Sequence, residues 1–285
     1  VALCFAAFTK EDTVPKARVG DINIYYEVYG KGQTLALIMG LGGGLPWLFR
    51  QIPTFSQQYQ VVAFDNRGTG ATDAPDIPYS MEMMAGDLRG LLANIGVDAA
   101  HIFGISMGGM IAQHFALLYP EKVKTLILGA TTCGGSNRVV PDTEAIKVLF
   151  DMERMQKLTP EERARDTLPF IFSQNFIDSN QVLIQELLTG MVGHVTPIHG
   201  YTRQAQAIMN HDTYNRLPEI NVPTLVIAGD ADKLVPAENS RIIASKIPNA
   251  ELVILKNMGH GFNIEAADEV NQIVMRFLNQ HSTGV

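Results

Sequence analysis

Short apolar runs recur along the chain at intervals that leave room for a helix between them. TLALIM (Thr34 to Met39), VVAFD (Val61 to Asp65), HIFGI (His101 to Ile105) and VKTLILG (Val123 to Gly129) are nearly unbroken in their apolar character. Runs without a polar face fit strands buried between two helical layers. INIYYEVYG (Ile22 to Gly30) alternates instead and is rich in β-branched and aromatic residues, so it predicts an early, half-exposed strand. Ser80 to Ile95 carries apolar residues at helical spacing behind a serine cap. Met107 to Tyr119 predicts a second helix, stopped by Pro120. The pattern returns late, with strands TLVIAG (Thr224 to Gly229) and ELVILK (Glu251 to Lys256) and helices near 237–246 and 266–280. Alternating strands and helices imply an α/β fold: a mostly parallel sheet with helices on both faces and right-handed crossovers.

Between about Thr132 and Pro218 the strand signal vanishes. Glu144 to Leu158, Pro160 to Phe172, Gln181 to Met191 and Ile198 to Met209 all carry helical spacing. The division that follows is a core of residues 1–131 and 219–285 with a helical cap, 132–218, inserted into it. Parallel sheets bind ligands beyond the C-terminal ends of their strands, where such a cap would sit.

Composition narrows the range of functions. The 285 residues are 46% hydrophobic and 18% charged, which is ordinary for a globular protein. A net charge of -7 and the lack of a basic run argue against nucleic acid. No apolar stretch approaches the roughly 18 residues of a membrane span. Cys4 and Cys133 do not form a disulfide framework or a zinc spacing, so neither a metal nor a cofactor is expected. The apolar start, VALCFAAF, reads as a packed arm, part of a signal h-region or the remnant of a longer leader, and a reducing cytoplasm is the default compartment. That arm, or a loop of the cap, offers a surface for a homodimer.

The chemistry centres on AHIFGISMGGM, Ala100 to Met110. Glycine weakens helices and strands alike, so a G-x-S-x-G run between an apolar strand and a helix needs a reason. A sharp strand–turn–helix elbow supplies one, because it crowds its neighbours and lifts the serine side chain, here Ser106, to the edge of the sheet.

A serine hydroxyl needs a base to become a nucleophile. Among seven histidines, His101 lies within a strand and reads as core, and His114 lies in the helix after the elbow. His194, His199 and His211 fall in the helical insertion, as lid surface or pocket lining, and His281 in the tail. His260 stands in KNMGHGF, a loop directly after the last strand, which returns to the same sheet edge as Ser106. AGDADKLVP, after the preceding strand, offers Asp232 to orient the imidazole, with Asp230 as the alternative. The order Ser106, Asp232, His260 is the order of an α/β-hydrolase triad.

IMGLGGG, FDNRGTGATDAP, HIFGISMGGMIAQHFALLYPEKV, GDADKLVP and NMGHGFNIE together give the chain a clear resemblance. It resembles the α/β-hydrolase fold superfamily, and within it the lid-bearing esterases and lactonases of the 3-oxoadipate enol-lactonase kind. The resemblance implies Asp232 as the triad acid and a bracing role for Asp65 and Arg67 of DNRGTG. Where the family usually has His-Gly after the third strand, this chain has Met39-Gly40. By position, the backbone N–H groups of Leu41 and Met107 would form the oxyanion hole, although Gly42, Gly43 and Gly44 leave that loop with little stiffness of its own.

The expected reaction is therefore acyl transfer from a small ester or lactone to water, through an acyl-enzyme on Ser106. Its base, His260, must be neutral, so activity is expected to fall in acid. Phe150, Phe170, Phe172, Met191, Met209 and Trp47 either line an apolar pocket or pack the lid against the core. Two other readings keep the same triad: a carbon–carbon bond hydrolase, and a ligand receptor of this fold with slow turnover. A serine at the elbow argues against the dehalogenases and epoxide hydrolases of the fold, which use an aspartate there.

Overall fold

A computed structural model describes residues 15–194 and 196–282. The apolar N-terminal run and Cys4 lie outside them. Eight strands form one sheet: β1 (Lys16–Val19), β2 (Ile22–Tyr29), β3 (Thr34–Ile38), β4 (Gln60–Phe64), β5 (Ala100–Ile105), β6 (Val123–Gly129), β7 (Thr224–Gly229) and β8 (Glu251–Leu255). Their spatial order is β1-β2-β4-β3-β5-β6-β7-β8. The pairs β1–β2 and β2–β4 are antiparallel, and every later pairing is parallel. The mostly parallel α/β sheet expected from the apolar runs is thus present, with β1 added. Strand β1 is only KARV, too short and too polar to show a period.

Among the described residues, twelve α-helices accompany the sheet. The first three are α1 (Ile52–Phe55), α2 (Met81–Asn94) and α3 (Met107–Leu118). Ser80 caps α2 as expected, accepting a bond from the Met83 N–H. Between β6 and β7 lie α4 (Thr143–Phe150), α5 (Met152–Lys157), α6 (Pro160–Ile171), α7 (Gln174–Ser179), α8 (Gln181–Gly193) and α9 (Ile198–Met209). The chain ends with α10 (Glu238–Lys246), α11 (Phe262–Glu265) and α12 (Ala267–His281).

The single helix expected over Glu144 to Leu158 is in fact two. Asp151 leaves helical backbone (ψ 86°), and its carboxylate accepts the Arg154 N–H, which starts α5. A local side-chain acceptor competes here with helix continuation. Helix α7 was not expected, because QNFIDS is one and a half turns with little periodicity. His281, read as tail, closes α12.

Both faces of the sheet are covered. Leu88, Ile111, Phe115 and Ile243 pack with Ile38, Ile102 and Leu126 on one side. Phe55, Phe103, Val270, Val274 and Phe277 pack with Leu37, Ile127 and Ile227 on the other. The helices between β6 and β7 build a smaller cluster from Ala164, Leu168, Phe172, Ile184, Leu187 and Leu188, joined by Ile264 from α11. Among the described residues, no helix is long and apolar enough to cross a membrane.

Two polar features inside the core carry consequences. Arg67 holds Asp87 with two hydrogen bonds of 2.6 Å, and both side chains are buried. Burial pushes the Asp87 carboxyl above its ordinary value, opposed by the charge and hydrogen bonds of Arg67. The second feature is a set of buried histidines. His101 is fully buried in β5, bonded to Thr125 Oγ1 at 2.9 Å and Gln33 Oε1 at 3.0 Å. His114 Nε2 faces His211 Nδ1 at 3.1 Å, and His211 Nε2 lies 3.1 Å from the Thr132 carbonyl. His211 is therefore neither lid surface nor pocket lining, as expected of it, but core. Its partner His114 sits on α3, which draws it inward.

Desolvation lowers His101 and His211 each to about 4, and lowers His114 as well. A histidine that stays neutral when folded binds its proton first in the unfolded chain, so stability is lost as pH falls from the unfolded value toward 4. Thermal melts should show the melting temperature dropping between about pH 6.5 and 4, and His101→Gln should flatten that slope. Asp87→Ala would leave the buried Arg67 with the exposed Asp21, at 3.2 Å, as its remaining carboxylate, so it should cost about 3–5 kcal/mol in urea unfolding. A cost near zero would show that Arg67 does not depend on this partner.

Candidate active site

Strand β5 and helix α3 meet at Ser106, whose backbone takes φ 59°, ψ −122°. This is uncommon for a residue with a side chain and costs energy that surrounding packing must hold in place. The packing is visible at the flanking glycines. A Cβ on Gly104 would lie 2.1 Å from the Gly108 carbonyl oxygen, and one on Gly108 would lie 2.1 Å from that of Ile38. Only hydrogen fits at both positions, so the first turn of α3 rests directly on β5 and β3. The Thr131 hydroxyl also donates to the Ser106 carbonyl at 2.8 Å. The turn directs the serine side chain into a cavity of about 350 Å³, which Ser106 and His260 both line.

The partner histidine comes from the loop after β8. His260 Nδ1 lies 2.7 Å from Asp232 Oδ2. Asp232 stands in the loop after β7 and is itself held: its Oδ1 accepts the N–H groups of Leu234 and Val235, each at 2.8 Å. One carboxylate oxygen thus serves the backbone and the other is left for the imidazole. The alternative, Asp230, is engaged elsewhere, accepting the Asn257 N–H at 2.6 Å at the surface. The structure brings Asp232 and His260 into contact and places Ser106 in the same cavity, with no hydrogen bond between the Ser106 hydroxyl and the imidazole.

The Met39–Gly44 loop borders the serine. A Cβ on Gly40 would come within 2.9 Å of Ser106 Cβ, so this backbone runs against the nucleophile position. Leu41 lines the cavity, and Met107 is the first residue of α3, where N–H groups have no partner within the helix. A helix N-terminus is electropositive and favours negative charge. Neither the Leu41 nor the Met107 N–H has a hydrogen-bond partner among the described residues.

The loop is far less free than its glycines suggest. Asn66 Nδ2 donates to the Met39 carbonyl at 2.9 Å, and the Gly43 N–H to the Gly40 carbonyl at 3.1 Å. The Leu45 N–H donates to Asp65 Oδ1 at 3.1 Å, and Asp65 Oδ2 accepts the Ala71 N–H at 3.0 Å. Asp65 therefore braces two loops at once. From above, Gln204 Oε1 on α9 accepts the Gly42 N–H at 2.9 Å, and the hydroxyl of Thr196, just before α9, donates to the Gly42 carbonyl at 3.0 Å. His194 Nε2 lies 3.3 Å from Asp65 Oδ1 and lines the cavity. Sequence reasoning passed over Gln204 and Thr196, because a polar residue on an amphipathic helix reads as surface until the loop it meets is known.

The remaining cavity wall is chiefly apolar. Trp47, Phe150, Met191 and Met209 line it. Phe172 does not: it is buried under the helices, its ring 6.4 Å from Trp47 and 5.2 Å from Phe176. Phe170 is not among the lining residues either. His199 is exposed and contacts the Ala74 carbonyl at 2.9 Å.

Comparison with known proteins agrees with this architecture. The alpha/beta hydrolase fold family matches residues 33–267, from just before β3 to the start of α12. A putative carbamate hydrolase, RutD, of Azorhizobium caulinodans is 30% identical over 94% of this chain and 99% of its own. A 2-hydroxy-6-oxononadienedioate/2-hydroxy-6-oxononatrienedioate hydrolase of Paraburkholderia phymatum is 32% identical over 91% of this chain and 92% of its own. The crystal structure of the enol-lactonase from Burkholderia xenovorans LB400 superposes with a TM-score of 0.82 at 27% identity, over 93% of this chain and 100% of that one. A chain that matches the family over residues 33–267, and superposes on a solved enol-lactonase over nearly its whole length, belongs to the α/β-hydrolase fold family and is a hydrolase.

Proposed function

We propose that this protein cleaves a small ester or lactone with a Ser106–His260–Asp232 triad, beneath a cap formed by the helices of residues 132–218. The observation that carries the reading is the 2.7 Å contact between His260 and a doubly anchored Asp232, opening on the cavity that the strained Ser106 enters. His260 Nε2 takes the serine proton as Ser106 Oγ attacks the carbonyl carbon. The carbonyl oxygen, now an oxyanion, is received by the N–H groups of Leu41 and Met107. The imidazolium returns its proton to the departing alkoxide, which leaves as an alcohol or, from a lactone, stays tethered to the acyl group. A water molecule, deprotonated by the same imidazole, then attacks the acyl-enzyme and frees the acid and Ser106.

Asp232 holds the Nδ1–H tautomer and steadies the imidazolium, which is why its position matters more than its proton. A cavity of about 350 Å³ lined chiefly by apolar side chains suits a modest acyl or alcohol group. The enol-lactonase likeness supports the lactone reading. A second reading is supported by the relative named 2-hydroxy-6-oxononadienedioate/2-hydroxy-6-oxononatrienedioate hydrolase, at 32% identity. There the same serine and histidine would act on a carbon–carbon bond next to a ketone.

A panel of short p-nitrophenyl esters, lactones and vinylogous 1,5-diketones separates the two. The proposal expects ester and lactone turnover that Ser106→Ala lowers by about a million-fold in kcat. Turnover of the diketone alone would favour the second reading, and ester turnover that survives Ser106→Ala would end both. Asp232→Asn, which misorients the imidazole, should lower kcat by about 10⁴-fold. Asp230→Asn should leave the rate of ester hydrolysis unchanged.

A further inference from the structure

The segment above the cavity does more than cover it. Gln204, on α9, is fully buried and makes three hydrogen bonds across the boundary with the core. Its Oε1 accepts the Gly42 N–H at 2.9 Å, while its Nε2 donates to the Arg67 carbonyl at 2.8 Å and the Thr69 hydroxyl at 2.7 Å. The partners fix the orientation of the amide, since an N–H must meet oxygen and a carbonyl must meet the NH₂ group. We propose that Gln204 is a positioning residue: it holds the Gly42 peptide so that the neighbouring Leu41 N–H stays aimed at the oxyanion. This rests on the serine-hydrolase reading above.

The geometry of the turn explains why one side chain has this leverage. The Gly43 N–H bonds to the Gly40 carbonyl, closing a four-residue turn with Gly42 at its third place, at φ +64°. In a trans peptide the C=O and N–H point in opposite directions. The Gly40 carbonyl is turned into the loop, so the Leu41 N–H of the same peptide is turned out of it. Keeping that direction requires the turn to stay closed, and a turn followed by Gly43 and Gly44 has little backbone stiffness of its own.

The core secures the two ends of the loop, through Asn66 on the Met39 carbonyl and Asp65 on the Leu45 N–H. Among the described residues, its middle is secured from above, by Gln204 on the Gly42 N–H and by Thr196 on the Gly42 carbonyl. The ring of Tyr201, also on α9, closes the remaining space: a Cβ on Gly42 would meet it at 3.0 Å. The donor that stabilises the transition state is thus assembled from both sides of the boundary. An oxyanion donor is effective because it is fixed before the charge develops, and Gln204 supplies part of that fixation.

The test is steady-state hydrolysis of p-nitrophenyl butyrate by the full chain carrying Gln204→Met, which keeps the volume and removes the acceptor. Arg203→Ala and His199→Ala are the controls. These residues also tie α9 to the core, through Asp76 and the Ala74 carbonyl, without touching Gly42. Outright loss of a donor lowers kcat by about 10²–10³-fold, so loosening one should lower it by about tenfold or more, with KM within about threefold. The controls should keep kcat.

A smaller fall in kcat, a loss carried by KM, or an equal loss in the controls would overturn the proposal. If Gln204→Met does not fold by circular dichroism, Thr196→Val is read by the same criteria. Failure of the underlying reading looks different: the wild-type chain itself would not hydrolyse the ester in a Ser106-dependent way, and the proposal would fall with it.

Discussion

The close seating of helix α3 on strands β3 and β5 is the constraint on which the site depends. Two glycines make it feasible: at Gly104 and Gly108, an added methyl group would strike a backbone carbonyl at 2.1 Å. With the helix that close, the chain has room to turn from strand to helix only through the backbone conformation Ser106 adopts. Strain of this kind persists where packing over-determines it. Its products are a serine lifted toward the cavity and a helix N-terminus facing the same space, so one packing decision positions both the proposed nucleophile and half of the proposed anion site.

The other components are brought there by topology. In a parallel sheet every strand delivers its C-terminal loop to one edge. The loops after β3, β5, β7 and β8 bring Leu41, Ser106, Asp232 and His260 to that edge from positions as far as 219 apart in the chain. Their arrangement is then refined by short-range hydrogen bonds. The two backbone donors on Asp232 Oδ1 leave Oδ2 for the imidazole, and the two donors on Asp65 pin the glycine loop to the DNRGTG loop. The helices between β6 and β7 line the rest of the cavity and add Gln204 to the support of that loop.

Much of this was legible in the residues. Central strands with no polar face announce themselves, and β6 and β7 begin and end where their apolar runs do. The elbow was legible because glycine at both flanks of a serine is costly without a reason. The proposed acid was narrowed to two aspartates by its strand end; of the two, Asp232 contacts His260 and Asp230 accepts the Asn257 N–H. What escaped were features set by long-range partners. β1 is visible only once β2 gives it a ladder, and the break at Asp151 depends on one capping bond. His211 looked like lid because it follows α9 directly, yet a hydrogen bond to His114, 97 residues away, draws it into the core. Gln204 has no local signal at all, since its role exists only in the loop it meets.

The central claim is spatial: the oxygen of a tetrahedral adduct on Ser106 lies between the amides of Leu41 and Met107, with His260 beside it. A crystal structure of the chain after reaction with a small fluorophosphonate measures this directly. The account predicts phosphorus bonded to Ser106 Oγ, its non-bridging oxygen about 2.7–3.1 Å from both amide nitrogens, and His260 Nδ1 still on Asp232. An adduct on another residue, or a phosphoryl oxygen pointing away from both amides, would contradict it.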